Sequence, residues 1–258
     1  MNILVYDNTF EGLLTAIYDA LDLNIVPDKI VSKKTYQSDM FAIKYEIDPD
    51  LEKFESLWEK IRQKTNEQNC QRIFKAFLSE TENIENVIYN YIKLILSSSF
   101  NIETNFGNDS VLKLNNAQKK VAREAQRVLM FVRFQKTSDN IYYASFDPKY
   151  NVIPLTVNHF KNRFTNQQWV IFDTRRKYGF YYDKENVREV TIGNKNINLQ
   201  TGKVNANALH VSEKLFQKLW QGYYDSINIS ERKNLKVHTQ FLPKRFWKFL
   251  PEKDLSLK

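Results

Sequence analysis

The apolar residues of this chain change their spacing once, near Phe131. Before that point they recur about every three to four residues, which is the pattern of helices with one buried face. After it they alternate with polar residues over short runs, which is typical of strands half-buried in a sheet. The two patterns together predict an α+β fold. We expect a mainly antiparallel sheet over about residues 131–191, packed with helices from the N- and C-terminal regions.

The individual segments follow from the same periodicities. Helices are predicted at about 10–22, 50–65, 67–80, 83–99, 116–130, 155–164 and 209–226, with further helical turns at 230–240 and 243–250. Strands are predicted at 2–6, 40–47, 131–135, 141–146, 168–173, 178–183 and 187–191. The turn residues between the later strands are short and polar, which favours hairpins.

Charge divides the chain into an acidic and a basic part. Residues 1–115 carry 12 Lys and Arg against 18 Asp and Glu, whereas residues 116–208 carry 16 against 7 and residues 209–258 carry 10 against 5. We therefore expect a mainly helical acidic region at 1–115, which starts with a short strand. A basic α+β region at 116–258 would follow, with the sheet and the C-terminal helices, in one continuous globular unit. This division suits a polyanion-binding surface beside an acidic support, although a solvated basic face without a partner is the other interpretation.

Basic residues are interleaved with aromatic residues in the second region. Cationic side chains neutralise phosphates, and flat rings offer stacking surfaces to unpaired bases. The predicted nucleic-acid-binding residues are Arg123, Arg127, Arg133, Arg163, Arg175, Arg176, Lys177, Lys244 and Arg245. The alternative is that the aromatic rings build the core and the cations form its solvated outer face.

Signals for catalysis are sparse. The candidate catalytic residues are Glu124 and Asp173, which lie beside arginines, although ion pairing explains that arrangement equally. The three histidines lack metal-ligand spacing, and no glycine-rich phosphate loop is present, so we expect no bound metal or cofactor. A single cysteine, Cys70, allows neither an internal disulfide nor a four-cysteine cluster. The N-terminus does not resemble a signal peptide, and no apolar run could span a membrane, so we expect a cytoplasmic protein without a membrane partner.

Six phrases in order resemble a known family. They are Val-Tyr-Asp-Asn-Thr-Phe-Glu-Gly-Leu-Leu at 5–14, Phe-Val-Arg-Phe at 131–134, Ile-Tyr-Tyr-Ala at 141–144, Trp-Val-Ile-Phe-Asp at 169–173, Asn-Ile-Ser-Glu-Arg-Lys-Asn at 228–234 and Phe-Leu-Pro-Lys-Arg-Phe-Trp-Lys-Phe-Leu at 241–250. The chain resembles a bacterial family of uncharacterised proteins assigned to DNA metabolism or repair. Its members often accompany a radical S-adenosylmethionine (radical SAM) protein, and some are fused to a uracil-DNA-glycosylase-like domain.

One position departs from that family. Similar proteins read Glu-x-His-Arg-Met before the Phe-Val-Arg-Phe segment, whereas here Glu124 is followed by Ala125 and then Gln126. If the family's histidine were catalytic, this chain would lack it. The resemblance therefore implies a context in DNA metabolism and does not imply a reaction.

Three functions remain open. The first is an accessory protein that binds nucleic acid, DNA rather than RNA, and presents it to a radical SAM or glycosylase-type partner. The second is an enzyme acting on a base or the backbone, with Glu124, Arg127, Arg133, Asp173 and Arg175 around one pocket. The third is a protein-interaction scaffold with a basic face. A pocket formed jointly by Glu124 and Asp173 would favour the enzyme.

Overall fold

The computed structural model describes residues 1–98, 100–191, 193, 196–198 and 202–253. The chain forms two compact units, Met1–Ala122 and Arg123–Lys258. The division falls inside one long helix, α5 (Asp109–Phe131). Among the described residues, none of the helices is long and apolar enough to cross a membrane.

The first unit contains a small parallel sheet. Strand β1 (Asn2–Tyr6) lies in the middle, between β2 (Lys29–Ser32) and β3 (Ile43–Glu46). Both pairs are parallel, with Leu4 aligned to Ile30 on one side and to Tyr45 on the other. Parallel neighbours require a crossover connection, and helix α1 (Phe10–Asp22) supplies the one between β1 and β2. Strand β2 was not predicted from the sequence.

Four whole helices and the first part of α5 belong to the first unit, and the four whole helices confirm the predicted helical segments. They are α1, α2 (Leu51–Lys64), α3 (Glu67–Phe77) and α4 (Ile84–Ser97). Side-chain caps fix three of their starts: Thr9 Oγ1 accepts the Gly12 N–H, Asp50 accepts the Glu52 N–H and Asn66 accepts the Asn69 N–H, each at 2.9 Å. Their apolar stripes meet in one core, in which Ile17, Ile61 and Ile92 are fully buried.

The second unit contains a five-stranded mixed sheet. In spatial order its strands are β4 (Gln135–Lys136), β5 (Tyr142–Phe146), β6 (Trp169–Asp173), β7 (Tyr178–Tyr182) and β8 (Val187–Val190). Strands β5 and β6 are parallel, and the other three pairs are antiparallel.

The mixture of helices and strands is confirmed, but the prediction of a mainly antiparallel sheet is wrong. Helix α6 (Ile153–Arg163) connects β5 to β6 as a crossover, which makes those two central strands parallel. The predicted strand at 131–135 is also wrong. Helix α5 continues through Phe131, the Val132 N–H still donates to Val128 O at 2.9 Å, and only Gln135–Lys136 pairs with β5.

The two faces of the second sheet have different coverings. Helix α6 packs against β6 and β7, where Phe160 contacts Trp169 with ring centroids 6.3 Å apart. Side chains alternate between faces along a strand, so Tyr143 and Val170 belong to the opposite face. On that face Val204 and other residues of the segment 202–209 pack against Tyr143. The remaining, open part of this face carries the site described below.

The C-terminal segment is helical, as predicted. It contains α7 (Glu213–Ile227), α8 (Leu235–Phe241) and three short 3₁₀ helices at Ser230–Arg232, Lys244–Phe249 and Pro251–Lys253. Polar contacts attach α7 to the unit: the Lys136 N–H donates to Glu213 at 2.9 Å, and Gln221 Nε2 donates to Pro251 O at 2.6 Å.

Candidate functional site

The predicted catalytic carboxylate Glu124 lies in a buried ion-pair cluster. Its side chain is 2% exposed. Arg245 Nη2 donates to both of its oxygens at 2.6 Å, and Arg127 Nη1 contacts Oε2 at 3.4 Å. The Lys149 N–H donates to Oε1 at 2.8 Å. All of these partners stabilise the ionised carboxylate, which is the chemistry of a structural ion pair.

The second candidate, Asp173, lies at the end of β6 and is fully buried. Its Oδ1 accepts the backbone N–H groups of Arg175 at 2.8 Å and Arg176 at 3.0 Å, and Arg176 Nη1 donates to Oδ2 at 2.9 Å. Burial raises the pKa of the Asp173 carboxyl, while Arg176 and the two N–H groups oppose that rise. Asp173 therefore closes the turn that follows its own strand.

Both clusters support the same segment, which follows β5. Glu124 holds the N–H of Lys149, and Arg176 donates to Pro148 O and Lys149 O, both at 3.3 Å. Arg175 Nε donates to Asp147 Oδ1 at 2.9 Å. The predicted residues thus converge on a packed loop, where each of the two carboxylates is paired with arginine.

The other predicted cations divide by exposure. Arg123, Arg163, Arg175, Lys177 and Lys244 are exposed. The Arg163 guanidinium lies 5.8 Å from the ring centroid of Phe164. By contrast, the Arg176 side chain is only 10% exposed. The turn at 175–177, predicted as one phosphate-binding group, therefore combines exposed cations with a buried structural arginine.

A pocket on the second sheet brings four cations together. Its volume is about 270 Å³, and Arg133, Lys203, Lys214 and Lys248 line it. We call it the cationic pocket. None of its described lining residues is a carboxylate. Two of these cations are ion-paired, Arg133 with Glu252 at 2.8 Å and Lys248 with Asp147 at 3.4 Å, which lowers the net positive charge. With four basic side chains and these two carboxylate partners, the potential at the small concave surface still favours an anion.

Arg133 is the lining residue whose orientation is most fully determined. Its Nη2 donates to Glu252 at 2.8 Å, and its Nη1 donates to the carbonyls of Met130 at 3.1 Å and Val132 at 3.2 Å. Its guanidinium lies 5.2 Å from the ring centroid of Trp220. Its Nε is buried and has no hydrogen-bond partner among the described residues. Arg133 thus forms a fixed wall of the pocket, and Glu252 balances part of its positive charge.

Two hydroxyl groups and a glycine add polar surface to the same pocket. The Tyr143 hydroxyl is buried and, among the described residues, lacks a hydrogen bond of normal geometry. Burial raises the pKa of this phenol, and the neighbouring Ser145 hydroxyl partly offsets the rise. Ser145 Oγ donates to Gly202 O at 2.7 Å. Gly202 has φ +69°, and a Cβ there would lie 2.4 Å from Ser145 Oγ, so only glycine allows this close approach.

The sequence pointed to one of the four pocket cations, Arg133. Lys203, Lys214 and Lys248 were missed because they come from three separate segments, and nothing in their local spacing indicates that they meet. Only Lys248 lies in a run of mixed basic and aromatic residues that could have identified it. Within the described part of the chain, no three or more His, Cys, Asp or Glu side chains are placed to hold a metal ion.

Fold and site together define a mixed α/β protein of two units, with a cationic pocket on the sheet of the second. Residues 82–252 match the family DUF4130, whose description is a domain of unknown function. The match covers more than half of the chain, which therefore belongs to this family. It includes the cationic pocket and both ion-pair clusters, and the family description assigns no activity. The curated proteins include no match to the chain.

Proposed function

We propose that this protein binds DNA through its second unit and presents it to a partner enzyme. The observation that carries the proposal is the cationic pocket, in which four basic side chains and no described carboxylate line one concave surface. Phosphate groups are the anions that repeat along a nucleic acid, and arginine with lysine is the usual combination that binds them. The resemblance to proteins of DNA metabolism favours DNA over RNA.

The charge distribution supports the same proposal. The basic excess is confined to residues 116–258, and exposed cations there include Arg123, Arg163, Lys177 and Lys244. Phosphate contacts of this kind position a protein on DNA without reading its sequence. We therefore expect binding that depends weakly on sequence and steeply on salt.

The test compares two charge-matched double variants of the full chain. Lys214→Ala with Lys248→Ala removes two pocket cations, whereas Lys218→Ala with Lys236→Ala removes two exposed lysines that do not line the pocket. We expect the pocket variant to lose roughly tenfold in affinity for a labelled DNA and to reduce the salt slope by about two, near one for each lost phosphate contact. Fluorescence anisotropy over a series of salt concentrations measures both quantities.

Equal losses of DNA affinity in the two double variants would show that the cationic pocket does not contact DNA. Absence of DNA binding by the unmodified protein would overturn the proposal as a whole. The same mixtures, treated with alkali to cleave abasic sites and then separated on denaturing gels, distinguish the accessory protein from the enzyme. We expect the DNA to stay intact, and base release or strand cleavage by the isolated chain would favour the enzyme.

A second surface, on helix α7, is suited to binding a partner protein. Helix α7 buries the polar residues Glu213, Gln217 and Gln221, which lie one turn apart along one face. It exposes large apolar side chains at Leu215, Phe216, Leu219, Tyr223 and Ile227. An amphipathic helix usually buries its apolar face and exposes its polar face, and α7 does the opposite. An exposed apolar face of this kind is typical of a protein–protein contact. The family resemblance suggests a radical SAM protein as the partner.

The partner is tested by co-expression with the radical SAM protein of the same host. We expect the two chains to co-elute in size-exclusion chromatography, and Phe216→Ser with Leu219→Ser to abolish co-elution by removing the centre of the apolar face. The variant should keep its DNA affinity, since neither residue lines the cationic pocket. Separate elution of the unmodified chains would contradict the partner assignment and leave the DNA result unaffected.

A further inference from the structure

A second cavity adjoins the cationic pocket on the same face of the sheet. Its volume is about 360 Å³, within the range of about 300–1,000 Å³ that is common for small-ligand sites. Tyr143, Val170, Tyr181, Val190 and Ile197 supply most of its apolar wall. We call it the apolar slot. Tyr143 and Val204 line both cavities, so the slot and the cationic pocket lie next to each other at these two residues.

The strand register places lining residues of both cavities in one row. Gln135, Tyr143, Val170 and Tyr181 are aligned across β4, β5, β6 and β7, so they form one row on one face. Gln135 lines the cationic pocket, Tyr143 lines both cavities, and Val170 and Tyr181 line the slot. Because neighbouring strands are about 4.8 Å apart, Tyr143 and Tyr181 are separated by about 10 Å.

The chemistry changes along this row. The Gln135 end adjoins the cationic pocket, whose cations suit a phosphate. The Tyr181 end lies in the apolar slot, whose half-buried aromatic and aliphatic side chains suit a flat ring. The slot's described acid, Asp139, accepts a hydrogen bond from the Thr137 hydroxyl. A carboxylate there disfavours a phosphate in the slot, whereas it can accept an N–H group of a base.

We propose that the two cavities together hold one unpaired nucleotide of DNA, with its base in the apolar slot and an adjoining phosphate in the cationic pocket. This inference rests on the proposed DNA binding and adds the kind of DNA that is bound. A base stacked inside a duplex cannot enter a cavity on a sheet face. The ligand is therefore a nucleotide in a single strand, in a bulge, or turned out of the helix.

The experiment uses two duplexes that differ by one base. Each contains a single-nucleotide bulge, which is a thymidine in one and an abasic tetrahydrofuran analogue in the other, so the phosphates are identical. We expect the full-length protein to bind the thymidine bulge about tenfold more tightly, because stacking on an aromatic side chain contributes to that extent. Anisotropy at fixed salt measures both dissociation constants.

Variants of the apolar slot test whether the preference for the thymidine bulge arises there. Tyr181→Ala should remove it and leave affinity for the abasic bulge unchanged, whereas Tyr181→Phe, which keeps the ring, should retain it. Ser138→Trp, at an exposed position on the slot's edge, should block the slot with little effect on folding. Two results would contradict base binding in the apolar slot: equal affinity of the unmodified protein for both bulges, or a preference that survives Tyr181→Ala and Ser138→Trp. Neither result would contradict DNA binding itself. Failure to bind either duplex would instead overturn the proposed function.

Discussion

Replacing Glu124 with Gln is expected to lower the free energy of unfolding of the second unit by about 3 kcal/mol. The carboxylate is 2% exposed and is the shared partner of Arg127 and Arg245. An amide keeps the shape of the side chain but carries no charge, and one of its two polar atoms donates where the carboxylate accepted. Two arginines, each about one-third exposed, would then lack their counter-ion.

Urea unfolding followed by tryptophan fluorescence measures this loss. Three of the four tryptophans, Trp169, Trp220 and Trp247, belong to the second unit, so the signal reports mainly on it. The matched control is Glu189→Gln at an exposed position, for which a change within about 0.5 kcal/mol is expected. Adding Arg245→Met to Glu124→Gln should recover part of the loss, because it removes one unpaired cation. A Glu124→Gln variant as stable as the control would exclude a structural role.

The apolar periodicity predicted most helices and strands, because burial of one face determines both patterns. It failed where the same residues satisfy two patterns. The run from Phe131 to Gln135 was interpreted as a strand, yet Phe131 ends a helix and contacts Phe246, 6.5 Å away between ring centroids. Strand direction was also missed, although a helix was predicted at 155–164 between the strands at 141–146 and 168–173, and this order favours parallel strands. Direction depends on the crossover through α6, which is a property of the connection.

The site was predictable only in part, for a related reason. The sequence shows that the second region is basic, but it does not show which cations are neutralised by buried carboxylates. Four of the predicted cations bind such carboxylates: Arg127, Arg133, Arg176 and Arg245. The pocket cations Lys203 and Lys214 lie in runs that resemble any solvated surface. Pairing between residues more than one hundred positions apart, such as Glu124 with Arg245, leaves no local signal in one sequence.

Replacing Asp173 with Ala is expected to have the largest effect on stability, a loss of about 4 kcal/mol. Asp173 is fully buried, and its removal leaves two backbone N–H groups without their acceptor and takes the carboxylate from the Arg176 guanidinium. Asp173→Asn should cost less, since its oxygen still accepts both N–H groups. Arg175→Ala with Lys177→Ala, two exposed positions in the same turn, should change stability by at most about 0.5 kcal/mol each. Urea unfolding ranks the three variants, and an Ala variant no less stable than the Arg175 and Lys177 double variant would contradict the structural role of Asp173.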